Sequence, residues 1–113
     1  MKHIVFSPEA LNDLEQIKNY LLDRFGEKTA EKNIGTVLKE IRTLEAYPFK
    51  GSGVWERYGI DSEYHYIYTN KNYVFYRVDS DVIKVIRVLD ARRDFLKILF
   101  GKTIQSDDKE IEE

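Results

Sequence analysis

The chain has 113 residues, a net charge of −2 and no cysteine. That length fits one domain with a core that needs no covalent staples, and the lack of cysteine excludes disulfides, thiolate chemistry and cysteine-held metals. The opening MKHIVFSPEA is too short and polar for a secretory leader, and no apolar run nears the ~18 residues of a membrane span, so a cytoplasmic protein with no membrane partner is expected.

Residues 2–6, KHIVF, read as a short strand. Ser7, Pro8 and Glu9 then read as a helix start: a hydroxyl N-cap, a proline at the first helical position and an acid that suits the helix dipole. Leu11, Leu14, Ile17, Leu21 and Phe25 recur at helical spacing, and Gly26 is a natural stop. A second helix is expected from Lys28 to Ala46, with the stripe Ala30, Ile34, Val37, Ile41 and Leu44. Both helices run near five turns, and the short link between them favours an antiparallel hairpin.

Pro48, Gly51 and Gly53 break the helical pattern. From Trp55 onward the chain turns β-rich. Tyr64–Thr69, Tyr73–Val78 and Val82–Leu89 read as strands of an antiparallel meander, with turns at Asn70-Lys71-Asn72 and Asp79-Ser80-Asp81. Val82–Leu89 is apolar on both faces, which places it inside the sheet. Arg92–Phe100 reads as a short helix or one more extended piece.

The predicted class is therefore α+β. A short N-terminal strand precedes a two-helix antiparallel hairpin packed on a mostly antiparallel sheet, in the order β-α-α-β-β-β, with a short C-terminal segment. The sheet face away from the hairpin must be covered, wet or used. Six tyrosines between Tyr58 and Tyr76 suit either core filling or a half-exposed interface. Residues 1–101 are read as a single domain, and 102–113 as an acidic tail too charged to fold alone.

Charge is distributed unevenly. The segment Ser106–Glu113 has five acids and one lysine, a net −4, so residues 1–105 carry +2. Between Arg77 and Lys102 stand seven Lys or Arg against four Asp or Glu. Local charge decides where an anionic partner docks. Arg92, Arg93 and Lys97 are the candidates for docking a target or anion. A competing reading makes Arg92-Arg93-Asp94 a structural cap with an internal ion pair. Tail contacts onto Arg92, Arg93 and Lys97 would be surface ion pairs, weak and screened by salt.

The stretches SPEALNDLEQIKNYL, LEAYPFKG and YVFYRVDSDVIKVIRVLDARRDFLKIL stand in a telling order between residue 3 and about residue 100. In this the chain resembles the RelE/ParE superfamily of bacterial type II toxin–antitoxin toxins. The resemblance implies a plasmid-stabilisation type of growth-inhibiting toxin, held inactive by a cognate antitoxin. It implies one of two activities. RelE-like members cut mRNA on the ribosome as metal-independent endoribonucleases, and ParE-like members block DNA gyrase without nuclease chemistry. A decayed, non-toxic binding protein is a third outcome, because function lives in the site and not in the fold.

RNA cleavage without a metal needs a base, an acid and cations around the phosphate. His65 and Glu63 are the candidates for proton transfer, and Arg77 and Arg87 for holding phosphate. The plainer readings are an ordinary strand histidine and arginines paired with nearby carboxylates. Where RelE-like members crowd cations, this chain has Tyr73 and Ala91, and Asp90 stands where some have a histidine. A carboxylate does not replace a cation beside a phosphate. The long helix hairpin and the phrase DLEQIKNYL resemble the ParE-like branch, which is the expectation. No histidine or carboxylate pair has a spacing suited to a metal, and no cofactor is expected.

Overall fold

Ser7 turns the first strand into the first helix. In the computed structural model, which describes residues 2–60 and 62–101, β1 (His3–Phe6) leads directly to α1 (Pro8–Phe25). The Ser7 hydroxyl accepts from the Ala10 N–H at 3.0 Å and donates to the Ile86 carbonyl at 2.7 Å, so one side chain caps a helix and ties it to a distant strand. Gly26 ends α1 at φ +93°, a backbone open to glycine and rarely to other residues. It alone separates α1 from α2 (Glu27–Arg42), so the helices fold back as a hairpin. One turn of 3-10 helix, Thr43–Glu45, extends α2.

The α2 stripe turns inward as its spacing predicts: Ala30, Val37, Ile41 and Leu44 are buried and Ile34 is half-buried. The α1 stripe is the expected one only in part: Leu14 and Ile17 pack against the core and Leu21 is half-buried. Leu11 is 56% exposed and Phe25 60% exposed, whereas Ala10 and Asp13 are buried. The inward face of α1 runs through Ala10, Asp13, Leu14 and Ile17. A carboxylate occupies a core-facing position because two residues, Arg87 and Val88, donate to it there, as described below.

After the hairpin, β2 (Ser52–Gly53) and α3 (Val54–Tyr58) correct the expectation of β-structure from Trp55. The turn of helix is favoured by burial of Val54 and by Gly59, whose φ of +69° closes it. The strands β3 (His65–Thr69), β4 (Asn72–Val78) and β5 (Val82–Asp90) follow, then α4 (Phe95–Phe100). The sheet order is β1-β5-β4-β3-β2, with β1 parallel to β5 and the other pairs antiparallel. β5 is interior, which accounts for its apolar residues on both faces. The architecture is the α+β layout read from the sequence, with α4 settling the C-terminal segment as a helix.

The hairpin covers one face of the sheet over a largely aliphatic core that includes Ile41, Leu44, Ile67, Val74 and Ile83. On the other face α3 and α4 cover Phe75, Leu89, Phe95 and several tyrosines. Fully burying one such side chain contributes about 1.5–3 kcal/mol. Of the tyrosines between Tyr58 and Tyr76, Tyr76 is fully buried, Tyr58, Tyr64, Tyr66 and Tyr73 are half-buried against the aromatic core, and Tyr68 is exposed. No helix among the described residues is long and apolar enough to cross a membrane. The acidic tail read at 102–113 lies outside the described residues.

Candidate functional site

β1 pairs with β5 only from Val82 to Val85. Beyond that point the outer edge of β5 would be bare, and an unpaired strand edge is a liability. Residues at the start of α1 occupy it instead. The Ser7 N–H donates to the Val85 carbonyl at 2.9 Å, and the Val88 N–H donates to Asp13 Oδ2 at 2.9 Å. Arg87 grips the same carboxylate with Nε at 2.7 Å and one terminal nitrogen at 2.9 Å. Asp13 is 5% exposed, so its charge is sustained by these three donors. Asp13 raises the Arg87 pKa above its ordinary value, mainly through that hydrogen bond.

This clamp forms part of an open groove of about 760 Å³. Ile17, Tyr20, Leu21 and Phe25 supply an apolar wall, and the end of β5 supplies the other side. One end is closed by the β3–β4 turn. Asn70 and Lys71 both have positive φ, at 49° and 63°, as a tight two-residue hairpin turn requires. Asn72, read as part of the turn, is in the strand. The Asn70 amide donates to the Asn33 carbonyl of α2 at 3.3 Å, and the Ala91 N–H donates to the Lys71 carbonyl at 2.9 Å. Lys71 is thereby presented at the groove mouth.

Arg92 and Arg93, which follow Ala91 in the chain, also line the groove. Arg92 makes two 3.0 Å contacts to the Asp90 carboxylate and lies over the Tyr20 ring at 5.6 Å. Arg24 sits over the same ring at 5.2 Å. The Arg92 hydrogen bond holds the Asp90 carboxyl below its usual range. Asp90, then Tyr20, raise the Arg92 pKa in turn. Among the described residues neither Arg93 nor Lys71 has a carboxylate partner. The groove is therefore apolar along one wall and lined by two cations, Lys71 and Arg93, that make no ion pair among the described residues.

Of the residues singled out for docking, Arg92 and Arg93 are in the groove. Lys97 is not among its lining residues and is exposed on α4. Asp94 caps α4, accepting from the Lys97 N–H at 3.2 Å. The internal ion pair at this corner joins Arg92 to Asp90. Lys71, Tyr20 and Asp13 were missed. Asp13 alone left a signal, since it falls in phase with Ala10 and Ile17.

The residues singled out for RNA cleavage do not meet in one cleft. His65 packs between Phe49, at 5.5 Å edge to face, and Tyr76, at 5.6 Å stacked, and its buried Nδ1 has no hydrogen-bond partner among the described residues. The strand starts only at His65, so regular alternation does not carry back to Glu63. Glu63 borders a shallow depression of about 330 Å³ with Arg77, Leu99 and Phe100. Arg77 pairs with Asp79 at 3.2 Å, and that hydrogen bond raises its pKa. Arg87 is held by Asp13 on β5, two strands from His65, a lateral separation of about 10 Å. Among the described residues no cluster of three or more His, Asp or Glu is placed to hold a metal.

Residues 4–95 match the family model of the ParE toxin of type II toxin-antitoxin system, parDE. The match covers most of the chain, which belongs to this family. Among solved structures, the chain is similar to one of the chromosomal ParDE TA system from P. aeruginosa. There the identity is 16%, the coverage 80% of this chain and 96% of that one, and the TM-score 0.68. It is also similar to the E. coli DinJ-YafQ complex, with 14% identity, 89% and 100% coverage and a TM-score of 0.47. At such identities the likeness is one of fold. No curated protein matches the chain.

Proposed function

We propose that this ParE-family toxin arrests growth by blocking DNA gyrase, and that a cognate antitoxin silences it by laying an amphipathic segment along the groove. The toxin domain is residues 1–101, it acts in the cytoplasm, and 102–113 is an acidic appendage. The observation that carries the reading is the dispersal of the groups that RNA cleavage needs. His65 is wedged between rings, Arg77 and Arg87 are each engaged by a carboxylate, and of the four only Glu63 and Arg77 share a depression, which His65 and Arg87 do not line. General acid–base chemistry needs such groups within hydrogen-bond reach of one substrate. The groove offers instead an apolar wall and two cations that make no ion pair among the described residues, which is what an amphipathic acidic segment fits.

The test pairs two assays. Purified protein is added to gyrase and supercoiling is followed, while mRNA from cells after brief induction is mapped by primer extension. Loss of supercoiling without new mRNA ends is expected. Ribosome-dependent cuts with intact supercoiling would overturn the reading in favour of the endoribonuclease. Normal growth with neither effect would mark a decayed, non-toxic member.

A further inference from the structure

The groove mouth and the C-terminal segment of the same chain have opposite charge. Lys71 and Arg93 stand at the groove without a carboxylate partner among the described residues. Residues 106–113, SDDKEIEE, carry −4, against +2 for the rest of the chain. Beside the two cations, Leu21 and the 60% exposed Phe25 form an apolar wall. The acidic run contains one apolar residue, Ile111, set between Glu110 and Glu112. Charge and apolar surface are thus matched on both sides.

Chain length allows the two to meet. Arg93 precedes α4 and Gly101 follows it. A helix of that length rises about 9 Å. Residues 102–105 can span about 13 Å when extended, enough to return alongside α4 and bring Asp107 to the corner occupied by Arg93. The seven residues from Asp107 onward reach about 23 Å further, into the groove. Single ion pairs of this kind are weak in free solution. A short tether supplies an effective concentration on the order of millimolar, at which weak contacts become populated.

We infer that the acidic segment Ser106–Glu113 docks on the groove of its own chain, its carboxylates on Lys71 and Arg93 and Ile111 against Leu21 and Phe25. Any protein that uses the groove must then displace it. The docking stands apart from the proposed gyrase block, and only its consequence for an antitoxin rests on that reading.

The chain has no cysteine, so Glu112→Cys in the full-length protein accepts a single nitroxide label. Amide NMR signals are compared with the label oxidised and reduced. At low salt the signals of Leu21, Lys71 and Arg93 are expected to lose intensity. The loss should vanish at ~1 M salt, where the screening length is ~3 Å, and in the labelled variant that also carries Lys71→Glu and Arg93→Glu. Groove signals that keep full intensity at low salt would overturn the inference. So would a loss that survives both the salt and the charge reversal. The same spectra show whether each variant is folded, and none of them reads gyrase or growth.

Discussion

The hairpin closes one face of the sheet with 18 and 16 residues of helix, aliphatic side chains and a single polar clamp at Asp13. The other face is closed by the six residues of α4 and a cluster of rings. Phe95 sits at the centre of that cluster, with ring centroids 4.8 Å from Tyr73, 5.2 Å from Phe75 and 5.5 Å from Tyr58. On the first face the cohesion is spread over many contacts, and the clamp joins α1 to β5, an interior strand of the sheet. On the second it depends on fewer anchors, Phe95 and Leu96 from α4 and Val54 from α3. The groove is built on the first face, where the walls are held by the global fold. The second face is the place for local opening, since a short helix with few anchors separates at low free energy.

The strongest way to break this comparison is Asp13→Ala. It strands the Arg87 guanidinium and the Val88 N–H together. Removing one partner of a buried ion pair costs about 3–5 kcal/mol, and Arg87, with 23% of its side chain exposed, recovers some hydration. A loss of about 3–4 kcal/mol in urea unfolding is expected. A midpoint like that of the parent would show that the clamp does not stabilise the fold. Phe95→Ala comes next, at about 3 kcal/mol for an excised core ring. Its signature is distribution. Hydrogen exchange should accelerate in α4 and the end of β5 and stay slow in α1 and α2. Uniform acceleration would mean the two faces are one cooperative unit.

The uneven legibility of these faces in the sequence has physical causes. The Ser7 cap, the Gly26 stop, the α2 stripe and the interior place of β5 depend on local periodicity and on residues with narrow backbone preferences. All were readable. The face of α1 was readable only at Leu14 and Ile17, because Leu11 and Phe25 fit an apolar stripe that Asp13 interrupts. Burial of Asp13 is explained only by Arg87 and Val88, more than seventy positions away. The α3 turn was missed because Trp55 and Tyr58 favour strands as readily as helices, and what favours the helix is packing of Val54 beneath the sheet. For the candidate site, the arginines were visible as residue types and their partners were not. Only the fold separates Arg93, which makes no ion pair among the described residues, from Arg77 and Arg87.

A smaller effect sharpens the hairpin side. Gly51 donates its N–H to the Tyr76 hydroxyl at 3.1 Å, and a Cβ there would lie 2.5 Å from the Tyr66 carbonyl oxygen and 2.7 Å from that hydroxyl. Gly51→Ala must push the strand or the ring aside. Overpacking of this kind costs about 1–3 kcal/mol, measurable as a lower urea midpoint with an unchanged slope. A neutral result would show that the loop before β2 yields freely, and that Tyr76 is held by the core alone.

The smallest expected effect lies on the aromatic face and depends on pH. Burial, then the neighbouring Tyr66, push the Tyr58 hydroxyl up to about 12. The folded state therefore holds the Tyr58 proton at pH values where an unfolded chain, with a tyrosine pKa near 10, releases it. Below about pH 10 both states are protonated and stability is flat with respect to this group. From about pH 10 upward the unfolded state loses its proton first, so stability falls, and the fall ends once the folded state ionises as well. Tyr76 is also raised by burial and adds a slope of the same sign. Tyr58→Phe should keep the Tyr76 part and lose the rest, giving a shallower decline of the urea midpoint with alkali than the parent. Identical slopes would mean that Tyr58 ionises freely in the folded protein, and that α3 lifts from the rings well before the hairpin face gives way.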